Sequence, residues 1–112
     1  MNKNRFIPAL FLAFPLFCQT GAARGDDLAA GRHKVLTLCQ NCHGEDGRAT
    51  LPGAANLSGQ QKEYLVGQLR AFRSGARHNE QMSVVAKSLS DADIENVAEW
   101  YSSIKVTVEM PK

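Results

Sequence analysis

The stretch LTLCQNCHGEDG, Leu36 to Gly47, decides how this chain is read. Two cysteines, Cys39 and Cys42, stand three positions apart, and His43 follows the second with no gap. The chain has three cysteines in 112 residues, so this stretch holds two of them. What that concentration means depends on the compartment the chain occupies, because paired cysteines read differently in oxidising and reducing surroundings.

The first segment answers that question. MNKNRFIPALFLAFPLFCQTGAA carries Lys3 and Arg5, then runs apolar from Phe6 to Phe17, then ends in Gly21, Ala22 and Ala23. A charged start, a short apolar run and a small-residue exit are the pattern of a secretory signal. The apolar run is interrupted by Pro8 and Pro15. It is also shorter than the roughly 20 residues a membrane-spanning helix needs. The bulky Phe17 before Cys18 does not suit attachment of a lipid there. Residues 1–23 are therefore expected to be a signal peptide, 24–112 one small domain, and the destination the periplasm. No stable membrane insertion is expected after cleavage.

Charge excludes one class of partner. The chain has 13 basic and 11 acidic side chains, but Lys3 and Arg5 leave with the signal. The remaining domain is near neutral, without the basic excess that nucleic-acid binding requires. Lys62, Arg70, Arg73, Arg77 and Lys87 dominate the middle of the chain, and Asp91, Asp93, Glu95 and Glu99 crowd its last helical stretch. Both runs read as solvated surface.

In an exported chain a cysteine pair first suggests a disulfide, but a three-residue spacing closes too small a loop to stabilise much. A thioredoxin-like pair belongs to a βαβ pattern, and no strand-like alternation lies near these cysteines. Zinc needs more ligands. His33 and His78 could be recruited, but no second ligand pair exists. What remains is C-x-x-C-H as a c-type haem attachment site. Two thiols about one helical turn apart can bond the two vinyl groups on one edge of the porphyrin, and the adjacent histidine is carried to the iron. The expected cofactor is one c-type haem, held by Cys39 and Cys42 and ligated by His43.

The rest of the chain predicts helices only. DDLAAGRHKVLTLCQNC places Leu28, Val35, Leu38, Cys39 and Cys42 on roughly one side, with Asp26 or Asp27 as its cap. GEDGRATLPGAANLSGQ is rich in loop-forming residues. SGQQKEYLVGQLRAFRSG predicts a strong helix: Ser58 with Gln61 resembles a capping box, Leu65, Leu69 and Phe72 recur at i, i+4, i+7, and Gly75 can close it. Val84 to Leu89 predicts one or two turns. SDADIENVAEWYSSI is the clearest helix, with Ser90 and Asp93 as a capping box and Ile94, Val97, Tyr101 and Ile104 as its apolar stripe. A mature chain of about 89 residues buries only about 60–65% of its unfolded surface. A covalently held porphyrin would complete its core, so the domain is expected to fold poorly without haem.

A second axial ligand must come from elsewhere. Met1 leaves with the signal and Met110 lies two residues from the end. Met82 lies between the second long helix and the last one, far enough along to return across the opposite haem face. His78 competes with it. A His–Met pair raises the potential relative to bis-His and leaves no open position on the iron.

On these residues the chain resembles the class I c-type cytochromes, of the small bacterial single-haem kind that is also similar to one half of the diheme periplasmic cytochromes. Gly31, eight residues before Cys39, resembles the family's N-terminal helix, where a glycine lets the first and last helices cross. CQNCHGEDG resembles the haem-attachment stretch. NLSGQQKEYLVGQLRAFRSGARHNEQMS is similar to the block ending at the distal methionine, so Met82 falls on that ligand. LSDADIENVAEWYSSI is similar to the C-terminal helix, with Trp100 against the Gly31 crossing. One departure is visible. The family usually has a proline immediately before NL, whose carbonyl accepts the proximal histidine's ring N–H. Here that residue is Ala55, and Pro52 lies three positions early. The role is kept for the Ala55 carbonyl, with the rigidity of the loop in question.

The resemblance implies an all-α cytochrome c-like fold of three to five helices around one haem. It implies an electron carrier, not an enzyme, exchanging electrons with redox partner proteins as a monomer or weak oligomer. Arg70, Arg73 or Arg77 would pair with haem propionates or dock a partner, or be plain surface charge. Gln60, Tyr64 and Asn79 would line the haem pocket. Two other readings stay open: a haem-bearing subunit of a larger oxidoreductase complex, and a ligand sensor or weak peroxidase in which Met82 leaves the iron.

Overall fold

The computed structural model describes residues 28–112. The expected signal at 1–23, Cys18 and the Asp26/Asp27 cap lie outside the described residues. The described part is helical: α1 (Leu28–Lys34), a π-helical turn (Val35–Cys39), α2 (Gln40–His43), α3 (Lys62–Ser74), α4 (Glu80–Lys87) and α5 (Asp91–Ser103). No strand occurs among the described residues. The all-α expectation holds.

Helix α5 is the element on which the others pack. Its start is the capping box read from sequence. Ser90 Oγ accepts from Asp93 N at 3.1 Å, and Asp93 Oδ2 accepts from Ser90 N at 3.0 Å. Ile94, Val97, Ala98 and Tyr101 are buried along it, and Ile104 packs against the same core. The most extensive helix–helix packing joins α1 to α5. It centres on Gly31, where a Cβ would fall on the Asn96 carbonyl oxygen, 2.9 Å from Asn96 C and 3.2 Å from Trp100 Cβ. The crossing between Gly31 and Trp100 is thus present, and it is tighter on the backbone of α5 than on Trp100 Cβ.

Val35, Leu65, Val66, Leu89, Ile94, Val97, Ala98 and Tyr101 form the core. Each large apolar side chain fully buried there contributes about 1.5–3 kcal/mol. Salt bridges join the basic α3 to the acidic α5. Lys62 Nζ lies 2.9 Å from Glu99 and Arg70 2.9 Å from Glu95, and Arg73 pairs with Asp91. Arg73 also donates to the Leu89 carbonyl at 3.1 Å. Arg77 donates to Gln68, with its guanidinium 4.5 Å from the Phe72 ring centre. The three arginines therefore engage protein groups, and the two charge runs face one another.

Several local expectations are corrected. The first helical stretch is not one regular α-helix. The Gln40 N–H reaches back to the Val35 carbonyl, a five-residue span. The Gln40 side chain donates to Leu36 O, the carbonyl its own N–H would take in an unbroken α-helix. The extra residue in this turn slips everything beyond Val35 by about 100° relative to α-helical register. Leu38, expected on the apolar side, is accordingly 37% exposed, while Val35 is fully buried. Leu28, at the start of α1, is also exposed. Ser58 does not cap α3. Its hydroxyl donates to the Asp46 carbonyl, and α3 begins after Gln61, which makes no side-chain cap. Gly75 does end α3 in the left-handed region, at φ 87°. The short turn expected at Val84–Leu89 is a full helix beginning at Glu80, because Asn79 caps it.

Candidate haem site

Cys39 closes the π-helical turn, and Cys42 and His43 end α2, so all three belong to one continuous helical segment. A π-turn inside a helix is often found at functional sites. Here Gly31 and Val35 before it are buried, and Cys39 at its end packs against the same core. Both cysteines are partly buried and not joined to one another. Burial pushes the Cys39 thiol up to about 11. Lys34 opposes this and Cys42 adds to it.

The histidine is oriented by its backbone partner. His43 Nδ1 lies 2.7 Å from the Ala55 carbonyl oxygen. A carbonyl can only accept, so Nδ1 carries the proton and Nε2 carries the lone pair. That is the tautomer a metal needs, set by the hydrogen bond on the far ring nitrogen. The expected role of Ala55 is present without a proline.

The loop bearing Ala55 is tied down by other means. Asn56 Oδ1 accepts from Ala49 N at 2.8 Å, and Leu57 N donates to Gly47 O at 2.7 Å. Thr50 N donates to Cys42 O at 2.9 Å, and the Thr50 hydroxyl to Asn41 O at 2.8 Å. Asp46 accepts from the Arg48 backbone and side chain, which holds its carboxyl below the usual range. These bonds answer the question of rigidity that the missing proline raised.

From the other side, α5 holds the turn that leaves His43. Tyr101 OH, buried, donates to Gly44 O at 2.8 Å, and Trp100 Nε1 donates to Glu45 O at 2.9 Å. Arg32 bridges the same place, 2.8 Å from Glu45 and 5.9 Å from the Trp100 ring centre. Gly44 itself has φ 74°, and a Cβ there would meet the backbone of Arg48. Burial raises the Tyr101 phenol far above its usual value, with Cys39, Asp46 and Glu45 adding to the effect. It remains a neutral donor.

Met82 lies near His43, in the first turn of α4. Its N–H donates to Asn79 Oδ1 at 2.9 Å. Asn79, expected as a pocket residue, is the N-cap of this helix. Of the other residues expected to line the pocket, Gln60 accepts from Gln61 N and Tyr64 is about half exposed. Leu38 and Val84, close in sequence to Cys39 and Met82, are exposed large apolar side chains. Two thiols about a turn apart, an imidazole presenting Nε2 and a methionine near it are a donor set that fits a covalently attached haem.

Sequence reading missed Tyr101 OH, Asn56 and the Gln40 side chain. The signal for Asn79 was there, an asparagine directly before a helical pattern. Tyr101 has no local signature, since it and Gly44 are 57 positions apart.

Comparison with known proteins agrees with this site. The Cytochrome c family model matches residues 28–105. Cytochrome c4 of Pseudomonas aeruginosa is 34% identical over 108 residues, covering 96% of this chain and 52% of that protein. Cytochrome c-554(548) of Halomonas halodenitrificans is 42% identical over 80 residues, 69% of this chain and 95% of that protein. The crystal structure of reduced recombinant cytochrome c4 from Pseudomonas stutzeri superposes with a TM-score of 0.62 at 30% identity, over 70% of this chain and 48% of that one. The chain thus spans about half the length of the cytochrome c4 relatives it matches. Attachment motif, helical fold and relatives converge: the chain belongs to the cytochrome c family, whose cofactor is a covalently bound c-type haem.

Proposed function

We propose that this chain is an exported electron carrier that works in the periplasm, with residues 1–23 as its signal and 24–112 as its haem domain. Cys39 and Cys42 would hold the haem through thioethers, and His43 and Met82 would ligate its iron. The observation that carries this reading is the 2.7 Å contact between His43 Nδ1 and the Ala55 carbonyl, which leaves the ring's lone pair on Nε2. The haem, when bound, supplies a one-electron ferrous/ferric couple. The chain's own residues keep the site unchanged between the two states. Ala55 fixes the histidine tautomer, Tyr101 and Trp100 hold the turn after it, and Asn56 and Thr50 fasten the loop that carries Ala55.

A histidine and a methionine together leave no position for a substrate, which favours a carrier over an enzyme. Methionine ligation also raises the potential relative to a second histidine. The partners are redox proteins that donate and accept the electron. Among the described residues no helix is long and apolar enough to cross a membrane.

Two measurements test this. After acid-acetone extraction the haem should stay with the polypeptide and give its pyridine haemochrome spectrum there; haem that extracts freely refutes attachment at Cys39 and Cys42. The ferric protein should show a weak sulfur-to-iron charge-transfer band at the red edge of the visible spectrum. Met82→Ala should abolish it, whereas loss in Met110→Ala with Met82→Ala silent would move the ligand to Met110.

A further inference from the structure

Met82 is the third residue of α4, and one side chain builds the helix end that holds it. Asn79 Oδ1 accepts from Gln81 N at 3.1 Å and from Met82 N at 2.9 Å. In return, Asn79 N donates to Ser83 Oγ at 3.1 Å, and Ser83 N donates to Asn79 O at 2.9 Å. Met82 is therefore held by its own amide and by two bonds on the next residue. Amides of a first turn have no partner within their own helix. At this end of α4 Met82 and Ser83 are only half-buried. Glu80, Gln81 and Val84 are exposed, and Ala86, at the other end, is the helix's buried residue. A helix of eight residues is also well below the length of about 12–15 at which isolated helices hold in water.

We propose that Asn79 is the positioning residue that keeps Met82 on the iron and so keeps the sixth coordination position closed. This rests on the reading of Met82 as the distal ligand. The cap stabilises the first turn of α4 in the arrangement that presents the methionine. Without it the turn frays, the sulfur leaves more often, and an outside ligand can enter. Asn79 thereby separates a pure electron carrier from a ligand-binding haem protein.

The test is imidazole titration of the ferric, haem-loaded protein. Imidazole must displace methionine, so its apparent affinity scales with the population in which the position is open. Asn79→Ala should raise that affinity roughly two- to thirtyfold, the range set by loss of an asparagine cap. Asn79→Ser, which still caps, should stay within about twofold of the parent. Met82→Ala sets the upper limit. If Met82→Ala binds imidazole far more tightly than the parent but Asn79→Ala does not, the role of Asn79 is overturned and Met82 stands. If Met82→Ala leaves the affinity unchanged, the ligand assignment itself fails. Equal rises in Asn79→Ala and Asn79→Ser would also overturn the proposal, since capping would not be the link. Should Asn79→Ala not fold, Ser83→Ala carries the test, with a rise in affinity expected and an unchanged value refuting.

Discussion

Replacing Gly31 by alanine tests the helix crossing at its tightest point. In an open helix the change would help, because alanine is favoured over glycine by about 1 kcal/mol. The crossing reverses the sign. The new methyl would fall on the Asn96 carbonyl oxygen, with Asn96 C at 2.9 Å and Trp100 Cβ at 3.2 Å. These are backbone atoms and a Cβ of α5, not the free end of a side chain, so relief requires the two helices to part. Parting them loosens Val35, Ile94, Val97 and Ala98, which are buried at or next to the crossing. Overpacking of this kind costs about 1–3 kcal/mol, and a clash with main chain belongs at the upper end. Subtracting the propensity gain leaves a net loss of about 2 kcal/mol. A domain of this size loses about 4–8 °C per kcal/mol, so Tm should fall by roughly 8–16 °C. Gly67 is the internal control. It lies mid-helix in α3, exposed, with nothing within 4 Å of its would-be Cβ. Gly67→Ala should raise Tm by roughly 4–8 °C, the same propensity acting unopposed. The assay is thermal unfolding of the haem-loaded proteins followed by far-ultraviolet circular dichroism. A Gly31→Ala protein as stable as the parent, beside a stabilised Gly67→Ala, would refute the close approach of α1 to α5.

Tyr101→Phe removes the donor at 2.8 Å to Gly44 O, which keeps only the longer 3.3 Å bond from Gly47 N, and should cost about 0.5–1.5 kcal/mol in guanidinium unfolding. The same residue gives an alkaline prediction. Its folded pKa lies above the unfolded value of about 10, so the folded state holds the proton longer. Its contribution to stability should be complete below pH of about 10 and decline as pH rises above it, and Tyr101→Phe should flatten that decline. On the acid side, burial raises Asp93, but its hydrogen bonds from Ser90 and Lys34 outweigh this and hold its pKa below the usual carboxylate value. The stability it contributes should be present above that usual value and lost as pH falls through the folded pKa, and Asp93→Asn should weaken this acid dependence. Ser90→Ala, which removes the other half of the capping box, should cost about 1 kcal/mol in urea unfolding.

The sequence by itself determined those parts of the molecule that are written in a few consecutive residues. The order Cys39, Cys42, His43 names the haem because two thiols and an imidazole within one short segment suit little else. Ser90 and Asp93 announce the start of α5, since a capping box closes within four residues. Gly31 in an otherwise good helical pattern asked for a crossing and found one. Tertiary structure decided what depends on partners distant along the chain. Ser58 has the local signature of a cap but is drawn to Asp46 O by the fold of the loop. Arg70 and Arg73 look like free surface charge until α5 lies beside them. The π-turn at Val35–Cys39, which interrupts a stretch whose apolar spacing reads as one regular helix, also has no local signature. The signs of Gly31→Ala and Gly67→Ala make the same distinction. Local propensity is equal for the two glycines, and only the neighbouring helix makes them opposite.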